Sequence, residues 1–491
     1  MDAIKHFPLG HTINNSPHSI CISLPTMADL IGYEKADPEI MRQIASGYPR
    51  FVRNPLIRKL ADQVERSQNL SGRVFFTTTD RAAAQLLEWV GAGALLEGFA
   101  CSGAIIPPQE DLLKRAWKFL QHTGCGIGSR QAEDLLELCP TEEAVRTDDP
   151  EAHILQKLHS VYHTRSADDV ALCSSGMNAF YTAFQAARTL RRKEGRTVWV
   201  QLGWLYADST HILNNFLAPD EKFITIYDVS DTDAIENALQ RYQGQIAGIV
   251  AEVPSNPLVH TPDVEAIKAI AKDHDAILLM DPTLVGALNV DILNWTDLLI
   301  NSLTKYAAGK GDVIMGAVAL NRRSKWYDLL KPLIQAYREK PYVRDIARLA
   351  YEIDDYEPLL RRINANAVEV SRFLRNHSAV KSVNWVYSEE TGRHFTRIAN
   401  GETANGSVIS FSLNIPLDRF YDRVQLVKSP SFGLEFTLLC PFFYLANFDM
   451  VSTDEGREWF HMHGIDPDLI RLSVGTEDPA RIIQALSEAL S

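Results

Sequence analysis

The middle of the chain alternates short apolar runs with amphipathic segments. The apolar runs end in turn or polar residues and read "DVALCSSG", "TVWVQLGW", "KFITIYDV", "IAGIVAEVPSNP", "AILLMDPT" and "DLLINSLTK". Segments with helical periodicity, such as "MNAFYTAFQAARTL" and "VEAIKAIAKDH", separate several of them. Continuous apolar runs are typical of strands buried on both faces. Their alternation with helices predicts an α/β fold with a mostly parallel sheet.

The two ends of the chain have different patterns. Upstream, "NPLIRKLADQVERSQ" predicts a helix, and residues 66–150 contain three further helical segments, "RAAAQLLEWVGAGALLEGF", "QEDLLKRAWKFLQHT" and "RQAEDLLELC". Downstream of about residue 330, long helices precede strand-like runs at "SVISFSLN" and "LIRLSVG". We therefore expect an N-terminal arm (1–65), a large domain (66–330) with a helical insert at about 66–150, and a smaller C-terminal α+β domain (331–491).

Composition and charge exclude several classes of function. The 491 residues carry a net charge of −13, which disfavours a nucleic-acid partner. No run reaches the roughly 20 apolar residues that a membrane span needs, and the first residues lack a secretory pattern. The six cysteines are scattered without a CxxC pair, so we expect a reduced, cytoplasmic protein.

Polar residues cluster where the predicted strands end. In parallel α/β sheets, ligands bind at the carboxyl ends of the strands. The residues found there are Ser175, Gly176, Met177, Tyr206, Glu252, Asn256, Asp281, Ser302, Thr304 and Lys305.

Lys305 is the most unusual of these residues. It stands between the hydroxyl residues Ser302 and Thr304 and a glycine-containing turn, in "INSLTKYAAGKGDV". A partly desolvated lysine amine can form a Schiff base with a carbonyl cofactor, whereas a lone lysine after a strand is usually a surface residue. The neighbouring hydroxyls suit a phosphate.

Two further features point to the same cofactor. "CSSGMNAFYTAFQ" predicts a strand, a small-residue turn and a helix, whose first N–H groups bind anions; taken alone it is equally an ordinary N-cap. Asp281 ends "AILLMD", where its carboxylate can keep a ring nitrogen protonated or simply cap a turn. A Schiff-base lysine, a ring-pairing aspartate and a phosphate site together indicate pyridoxal phosphate.

Two other motifs carry less weight. "HTGCGIGSRQAEDLLELC" has the glycines of a duplex-binding hairpin or a dinucleotide loop, but the acidic chain and the absence of a clear preceding strand favour a helix start with Ser129 as N-cap. His461 and His463 have no third ligand nearby, so we expect no metal site.

The chain resembles the Cys/Met-metabolism family of pyridoxal-phosphate enzymes, which have fold type I. "SLTKYAAGKGDV" is similar to the family's S-x-T-K-Y-x-x-G-H-S-D-V, and "SSGMNA" to S-G-M-A-A. "LYADST" resembles Y-G-G-T, "AEVPSNP" resembles E-x-P-x-N-P, and "MDPTL" resembles D-N-T-F. "IRLSVGTED" resembles R-L-S-V-G-x-E-D, and "GYPRFVRNP" resembles Y-S-R-x-x-N-P with one extra residue. The length and "SLPTMADLIGYEKADP" resemble the longer cystathionine gamma-synthases.

The resemblance implies roles around the cofactor. Lys305 would carry pyridoxal phosphate as a Schiff base and shuttle protons, Asp281 would hold the pyridine nitrogen, and Tyr206 would stack on the ring. Tyr48 and Arg50 would reach the phosphate of a neighbouring subunit, which implies a homodimer or homotetramer. The remaining phosphate ligands would be Gly176, Met177, Ser302 and Thr304.

The resemblance also implies a substrate site for small amino acids. Asn256 would lie near the cofactor's phenolic oxygen and the substrate. Arg471 would clamp the substrate carboxylate with its planar fork, with Ser431 assisting; the alternative for Arg471 is a salt bridge to Glu477 or Asp478.

Several positions depart from the family pattern. Lys310-Gly311 replaces His-Ser, Pro282 replaces the asparagine after the aspartate, Ala207-Asp208 replaces two glycines, and Cys440 replaces a histidine before proline. None removes a group that the cofactor chemistry requires.

The expected reaction is γ-substitution of an O-acyl-homoserine by cysteine, giving cystathionine. Lys305 would be the base, and Tyr206 or Tyr48 would assist the thiol. The rival reactions are γ-lyase and sulfhydrylase chemistry. A non-catalytic, cofactor-binding regulatory protein is the rival from another class.

Overall fold

The described residues of the N-terminal part form seven helices and one small sheet. The computed structural model describes residues 4–44, 46, 52–138 and 146–491. The helices of this part are α1 (Met27–Glu34), α2 (Pro38–Met41), α3 (Pro55–Ser67), α4 (Asp80–Val90), α5 (Glu110–Thr123), α6 (Ser129–Leu135) and α7 (Pro150–Tyr162). The strands are β1 (Val74–Thr77), β2 (Ala94–Leu95) and β3 (Ser102–Ile105), paired antiparallel in the order β1-β3-β2.

The insert at about 66–150 is therefore not wholly helical. The helix predicted through "RAAAQLLEWVGAGALLEGF" ends at Val90, because Gly91 adopts a left-handed conformation with φ of 78°. Residues beyond this glycine turn back into β2. The prediction missed β1 and β3 because each is only four residues long, too short to show a strand period.

The central sheet has seven strands, and the six apolar runs predicted all of them except the strand at Gly316–Leu320. Its strands are β4 (Val170–Cys173), β5 (Val198–Leu202), β6 (Lys222–Ile226), β7 (Ile246–Glu252), β8 (Ile277–Asp281), β9 (Leu298–Ser302) and β10 (Gly316–Leu320), and its helices are α8 (Gly176–Lys193), α9 (Ala207–Asn215), α10 (Thr232–Gln240) and α11 (Val264–Asp273). The spatial order is β4-β10-β9-β8-β7-β5-β6. Only β10 runs antiparallel to its neighbours, so the expected mostly parallel sheet is confirmed.

The C-terminal part is α+β, as predicted. Its helices are α12 (Tyr327–Tyr337), α13 (Val343–Glu352), α14 (Tyr356–Arg375), α15 (Gly392–Ile398), α16 (Leu417–Arg423), α17 (Phe442–Ala446), α18 (Phe448–Val451), α19 (Asp454–Met462) and α20 (Pro479–Leu490). Its strands are β11 (Val380–Asn384), β12 (Val408–Leu413), β13 (Val427–Lys428), β14 (Leu438–Pro441) and β15 (Ile470–Ser473), in the order β11-β12-β15-β14-β13. None of the described helices is both long and apolar enough to cross a membrane.

The described part of the N-terminal arm packs against its own chain. The Leu24 N–H donates to the Lys428 carbonyl over 2.9 Å, and the Tyr421 hydroxyl donates to the Leu24 carbonyl over 2.8 Å. Ile22, Leu24 and Leu30 belong to a continuous buried core that also includes C-terminal residues. The arm is thus held by the C-terminal domain of the same chain.

Candidate active site

Three side chains at the carboxyl edge of the central sheet lie in one cavity. Glu252 ends β7, Asp281 ends β8 and Ser302 ends β9. The parallel register pairs Glu252 directly with Asp281, and β9 lies beside β8. These three side chains and Lys305 line the same cavity, which is where a parallel α/β sheet binds ligands.

The amine of Lys305 is buried in this cavity. Lys305 follows β9 after two residues, and 8% of its surface is exposed. Its Nζ lies 3.2 Å from Ser431 Oγ and 5.0 Å from the centre of the Phe432 ring. An amine held against a hydroxyl and an aromatic face is the desolvated nucleophile that a Schiff base requires.

The turn before α8 forms an anion site with Ser302. Ser175 caps the helix by accepting from the Asn178 N–H over 3.0 Å, and the first N–H groups of a helix have no partner within it. A Cβ on Gly176 would lie 2.7 Å from the Ser302 Cβ, so only glycine allows this approach. Among the described residues, Ser302 Oγ is buried without a hydrogen-bond partner. The turn of residues 174–178, here called the phosphate turn, therefore suits a phosphate group.

Thr304 is not in the same position as Ser302. Its hydroxyl donates to the Met315 carbonyl over 3.2 Å and accepts from the Met315 N–H over 3.1 Å. Thr304 is fully buried and does not line the cavity. The structure thus places Gly176, Met177 and Ser302 at the cavity and turns the Thr304 side chain toward the backbone.

Two carboxylates, the buried Glu252 and the partly exposed Asp281, lie side by side in the cavity. Burial raises the pKa of Asp281 to about 6, although a hydrogen bond from the Thr283 N–H, at 2.7 Å, acts in the opposite direction. Burial, and then the charge of Asp281, raise the pKa of Glu252 well above its usual value. A cationic ring nitrogen next to Asp281 would relieve both effects.

Tyr206 lies above this carboxylate pair. It is the N-cap residue of α9, and its backbone N–H donates to Glu252 Oε1. Its side chain lines the cavity together with Asp281 and Lys305. Glu252 therefore fixes the start of α9, which carries the predicted stacking ring.

Arg471 faces the cavity from the C-terminal domain. Its Nη1 donates to Asn256 Oδ1 over 3.1 Å and its Nη2 to the Ser431 carbonyl over 3.3 Å. The guanidinium carbon lies 5.2 Å and 4.9 Å from the ring centres of Phe432 and Phe442. This arrangement leaves a cation that is held in place mainly by neutral groups.

The two carboxylates considered as salt-bridge partners of Arg471 have other roles. Glu477 accepts from the Thr437 N–H over 2.7 Å and from the Thr437 hydroxyl over 2.8 Å. Asp478 caps α20 by accepting from the Ala480 N–H. The structure therefore favours the alternative in which Arg471 binds a ligand anion.

Three residues of the site were not predicted from the sequence. Phe432 and Phe442 flank the guanidinium, but both read as ordinary core residues in the sequence. Thr283 holds the Asp281 carboxylate through its N–H and accepts from the Ser302 N–H through its hydroxyl, over 2.9 Å. The sequence signal for Thr283 was its place in "MDPTL", directly after the aspartate.

Two predicted residues, Tyr48 and Arg50, lie outside the described residues. A second stretch, Arg146 to Pro150, has the R-x-x-x-P spacing of the family motif without an extra residue. Pro150 begins α7, and the Arg146 guanidinium lies 4.0 Å from the Tyr351 ring centre. This spacing was a sequence signal for Arg146, although the tyrosine of the motif is absent there.

Two departures from the family pattern coincide with contacts to the N-terminal part of the chain. Asn14 Nδ2 donates to the carbonyls of Lys310 (2.8 Å) and Gly311 (3.0 Å). Gln121 Nε2, on α5, donates to Asp208 Oδ1 over 3.1 Å.

Ser129, expected as the N-cap of α6, is instead its first residue after Gly128, and its hydroxyl bonds to His18 Nδ1 over 2.9 Å.

The carboxylate pair predicts a pH-dependent stability difference. In the cofactor-free protein the pKa of Asp281 is above its unfolded value, so folding binds a proton and stability falls as pH rises from about 4 to about 6. We expect Asp281→Asn to stabilise this form at pH 7 by at most about 3 kcal/mol and to have no effect near pH 4. Urea unfolding at both pH values measures the difference.

The matched control is Asp62→Asn, which neutralises an exposed carboxylate on α3. It should leave stability unchanged within about 0.5 kcal/mol at both pH values. A destabilised Asp281→Asn protein at pH 7 would contradict the proposed strain between the carboxylates.

The cavity fits pyridoxal phosphate group by group. The phosphate turn and the unpartnered Ser302 hydroxyl suit the phosphate, Asp281 suits the pyridine nitrogen, and Lys305 supplies the amine. Arg471 and Asn256 lie on the side where a substrate carboxylate would enter.

Comparisons with known proteins agree with this fit. The family model described as Cys/Met metabolism PLP-dependent enzyme matches residues 142–491, a range that begins downstream of Tyr48 and Arg50. The chain is 36% identical over 490 residues to the L-2-amino-4-chloropent-4-enoate dechlorinase/desaturase of Streptantibioticus cattleyicolor, covering 97% of both chains. It is 25% identical to the cystathionine gamma-synthase of Neurospora crassa, covering 99% of this chain and 98% of that one.

Solved structures share the fold. The cystathionine gamma-synthase from Xanthomonas oryzae pv. oryzae, in complex with aminoacrylate and cysteine, matches with a TM-score of 0.59 and 23% identity. The match covers 70% of this chain and 85% of that chain. With the family match spanning most of the sequence and the site arranged as described, the chain belongs to the pyridoxal-phosphate-dependent enzymes of Cys/Met metabolism.

Proposed function

We propose that the enzyme removes a leaving group from the γ-carbon of an L-amino acid. The observation that carries this proposal is that Lys305 and Arg471 line one cavity together with Asp281 and both contact Ser431 and Phe432. An amine and a guanidinium so placed would bind an amino acid by its carboxylate and keep its α-carbon beside a base. The relatives named as γ-synthases and as a dechlorinase/desaturase act on the same part of an amino acid.

Each side chain has a distinct task in this reaction. Bound pyridoxal phosphate supplies an electron sink that acidifies the α and β protons of the substrate. Asp281 holds the ring nitrogen protonated, and Arg471 orients the α-carboxylate through two N–H groups. Lys305 Nζ is the base that removes the α and β protons, because it lies in the cavity and its hydrogen bond to Ser431 aims it.

One completion of the reaction is γ-substitution, as the sequence predicted. The substrate would be an O-acyl-homoserine, the nucleophile cysteine and the product cystathionine. Tyr206 lies at the cavity and would assist the thiol. The cystathionine gamma-synthases among the relatives support this version.

A second completion is elimination without a nucleophile. The wall near Arg471 is formed by apolar or weakly polar side chains, namely Phe432, Cys440, Phe442, Leu445 and Ala446. Among the described lining residues, Lys305 and Arg471 are the only cations, so a succinyl or phosphoryl group would lack a partner for its charge. A small neutral or halide leaving group fits this wall, which is consistent with the 36% identical dechlorinase/desaturase.

A substrate panel tests the proposal. Purified enzyme is incubated with O-acetyl-, O-succinyl- and O-phospho-homoserine and with a γ-chloro-alkenyl glycine, each with and without cysteine. We expect release of acetate or chloride, and not of succinate or phosphate. Formation of cystathionine in the presence of cysteine supports substitution. Chloride release at the same rate with and without cysteine supports elimination.

The panel has a clear negative outcome. If no γ-leaving group is released from any substrate by enzyme that holds its cofactor, the proposal fails. If succinate is released as fast as acetate, the argument from the apolar wall is wrong.

The carboxylate clamp gives a further prediction. Arg471→Lys keeps the charge but loses the planar fork. Losing a charge-assisted hydrogen bond costs roughly 1.5–3 kcal/mol, so kcat/KM should fall about ten- to a hundred-fold while the visible spectrum of the bound cofactor stays intact. Steady-state kinetics and absorbance measure the two effects. A variant that loses thermal stability but keeps kcat/KM would instead assign Arg471 a structural role.

We also propose an oligomeric state and a cellular location for the protein. The resemblance supports a homodimer or homotetramer. The described cysteines are all free, which supports a reducing, cytoplasmic setting.

A further inference from the structure

The insert contacts the phosphate turn directly through one glycine. The Ser174 hydroxyl donates to the Gly124 carbonyl over 2.9 Å, and the Ser175 hydroxyl approaches the same oxygen at 3.3 Å. Asn178 Nδ2 donates to the Thr123 carbonyl over 3.1 Å. The end of α5 therefore holds both sides of the turn at the start of α8.

The contact at Gly124 leaves no space for a side chain. Gly124 ends α5 in a left-handed conformation with φ of 63°. A Cβ at this position would lie 2.1 Å from Ser175 Oγ and 2.8 Å from the Asn178 nitrogen. Such distances require the turn to shift, since one of the atoms belongs to the backbone.

A second set of contacts reaches the turn through Glu339. The Ser174 N–H donates to the Glu339 carbonyl over 2.8 Å, and the Glu339 N–H donates to Asn178 Oδ1 over 2.9 Å. The carboxylate of Glu339 accepts from the hydroxyls of Thr78 (2.8 Å) and Thr79 (2.9 Å) in the insert. The insert thus fixes the residue that braces the turn from its other side.

We propose that the insert positions the cofactor phosphate. Residues 74–129 of a chain hold that chain's phosphate turn, so that the first N–H groups of α8 and the Ser302 hydroxyl converge on the phosphate. Gly124 is a positioning residue in this arrangement. The inference concerns cofactor binding and does not depend on which γ-substituted amino acid is the substrate.

Two glycines of the insert provide a matched test. Gly91 and Gly124 both end helices with positive φ, of 78° and 63°, but a Cβ on Gly91 would meet nothing within 4 Å. Alanine at either position carries the same backbone strain, and only Gly124→Ala disturbs the turn. The dissociation constants of pyridoxal phosphate and of pyridoxal, which lacks the phosphate, are measured by titrating the cofactor-free proteins.

We expect Gly124→Ala to weaken pyridoxal phosphate binding about ten- to a hundred-fold and pyridoxal binding less than about twofold. Gly91→Ala should change neither constant. Equal losses for both ligands, or unchanged pyridoxal phosphate affinity in a folded Gly124→Ala protein, would overturn the proposal. If Gly124→Ala fails to fold, Ser174→Ala removes the 2.9 Å bond alone and should show the same selectivity at about two- to fivefold.

A separate observation concerns the charge at this turn. A second cavity lies between the insert and the phosphate turn and shares Gly176 and Met177 with the first. Arg53 lines it, with Nη1 donating to the Val74 carbonyl over 3.3 Å. Its guanidinium carbon lies 4.6 Å from the Phe75 ring centre and 5.2 Å from that of Trp117. Burial lowers the pKa of this guanidinium, and the charge of Glu65 acts in the opposite direction.

From this geometry we infer that Arg53 supplies positive charge to the phosphate of its own chain. The sequence expectation was that an arginine of a neighbouring subunit does so. Arg53 lies in the segment that the structure places beside the chain's own phosphate turn, and an electropositive group there favours a bound anion.

Mixed assemblies distinguish the two arrangements. Chains carrying Lys305→Ala and Arg53→Gln are co-expressed with different tags, and the mixed species is purified. If Arg53 acts within its own chain, the mixed species has no intact site and shows no activity beyond that of Arg53→Gln. Recovery to about half the wild-type activity would overturn the inference.

Cofactor affinity provides the second readout. Arg53→Gln should weaken pyridoxal phosphate binding about tenfold without changing pyridoxal binding. Arg66→Gln, on the exposed side of α3, is the matched control and should change neither. Unchanged pyridoxal phosphate affinity in Arg53→Gln would show that the guanidinium does not contribute.

Discussion

The repulsion between two neighbouring carboxylates is the constraint on which the site depends. Parallel register places Glu252, which is buried, and Asp281, which is partly exposed, at the ends of adjacent strands. Two negative charges on adjacent strand ends repel each other in a poorly solvated cavity. The pair therefore favours either a shared proton or a nearby cation. A protonated pyridine ring beside Asp281 would supply that cation. The arrangement that strains the empty protein thus favours the charged form of the cofactor, which is the form that withdraws electrons.

Glu252 also connects this constraint to the rest of the cavity. By accepting from the Tyr206 N–H it fixes the start of α9, and the charge of Arg471 partly offsets its own. The substrate side of the cavity is different in character. Arg471 is surrounded by Phe432, Phe442 and the Asn256 amide, and this setting suits one carboxylate while offering little to a second charged group.

The N-terminal part of the chain contacts two of the positions that depart from the family pattern. Where shorter members have two glycines, Asp208 receives a hydrogen bond from Gln121 on α5. Where they have His-Ser, the carbonyls of Lys310 and Gly311 accept from Asn14. Both positions contact the insert or the arm. The sequence changes near the site are therefore consistent with an added structural layer around an unchanged cofactor centre.

The sequence by itself determined six of the seven strands of the large sheet, the α+β C-terminal domain and the residues at the strand ends. This was possible because buried strands are continuous apolar runs, and because a parallel sheet brings their carboxyl ends together. It did not reveal the small sheet of the insert, whose strands are too short to have a period. Nor did it reveal that Thr304 faces the Met315 backbone, because adjacent hydroxyls look equivalent in a sequence. The pairing of Phe432 with Arg471 and the fit of Gly124 against Ser175 join residues about 40 or 50 positions apart along the chain. Only tertiary packing decides such contacts, since no local pattern records which distant surfaces will meet.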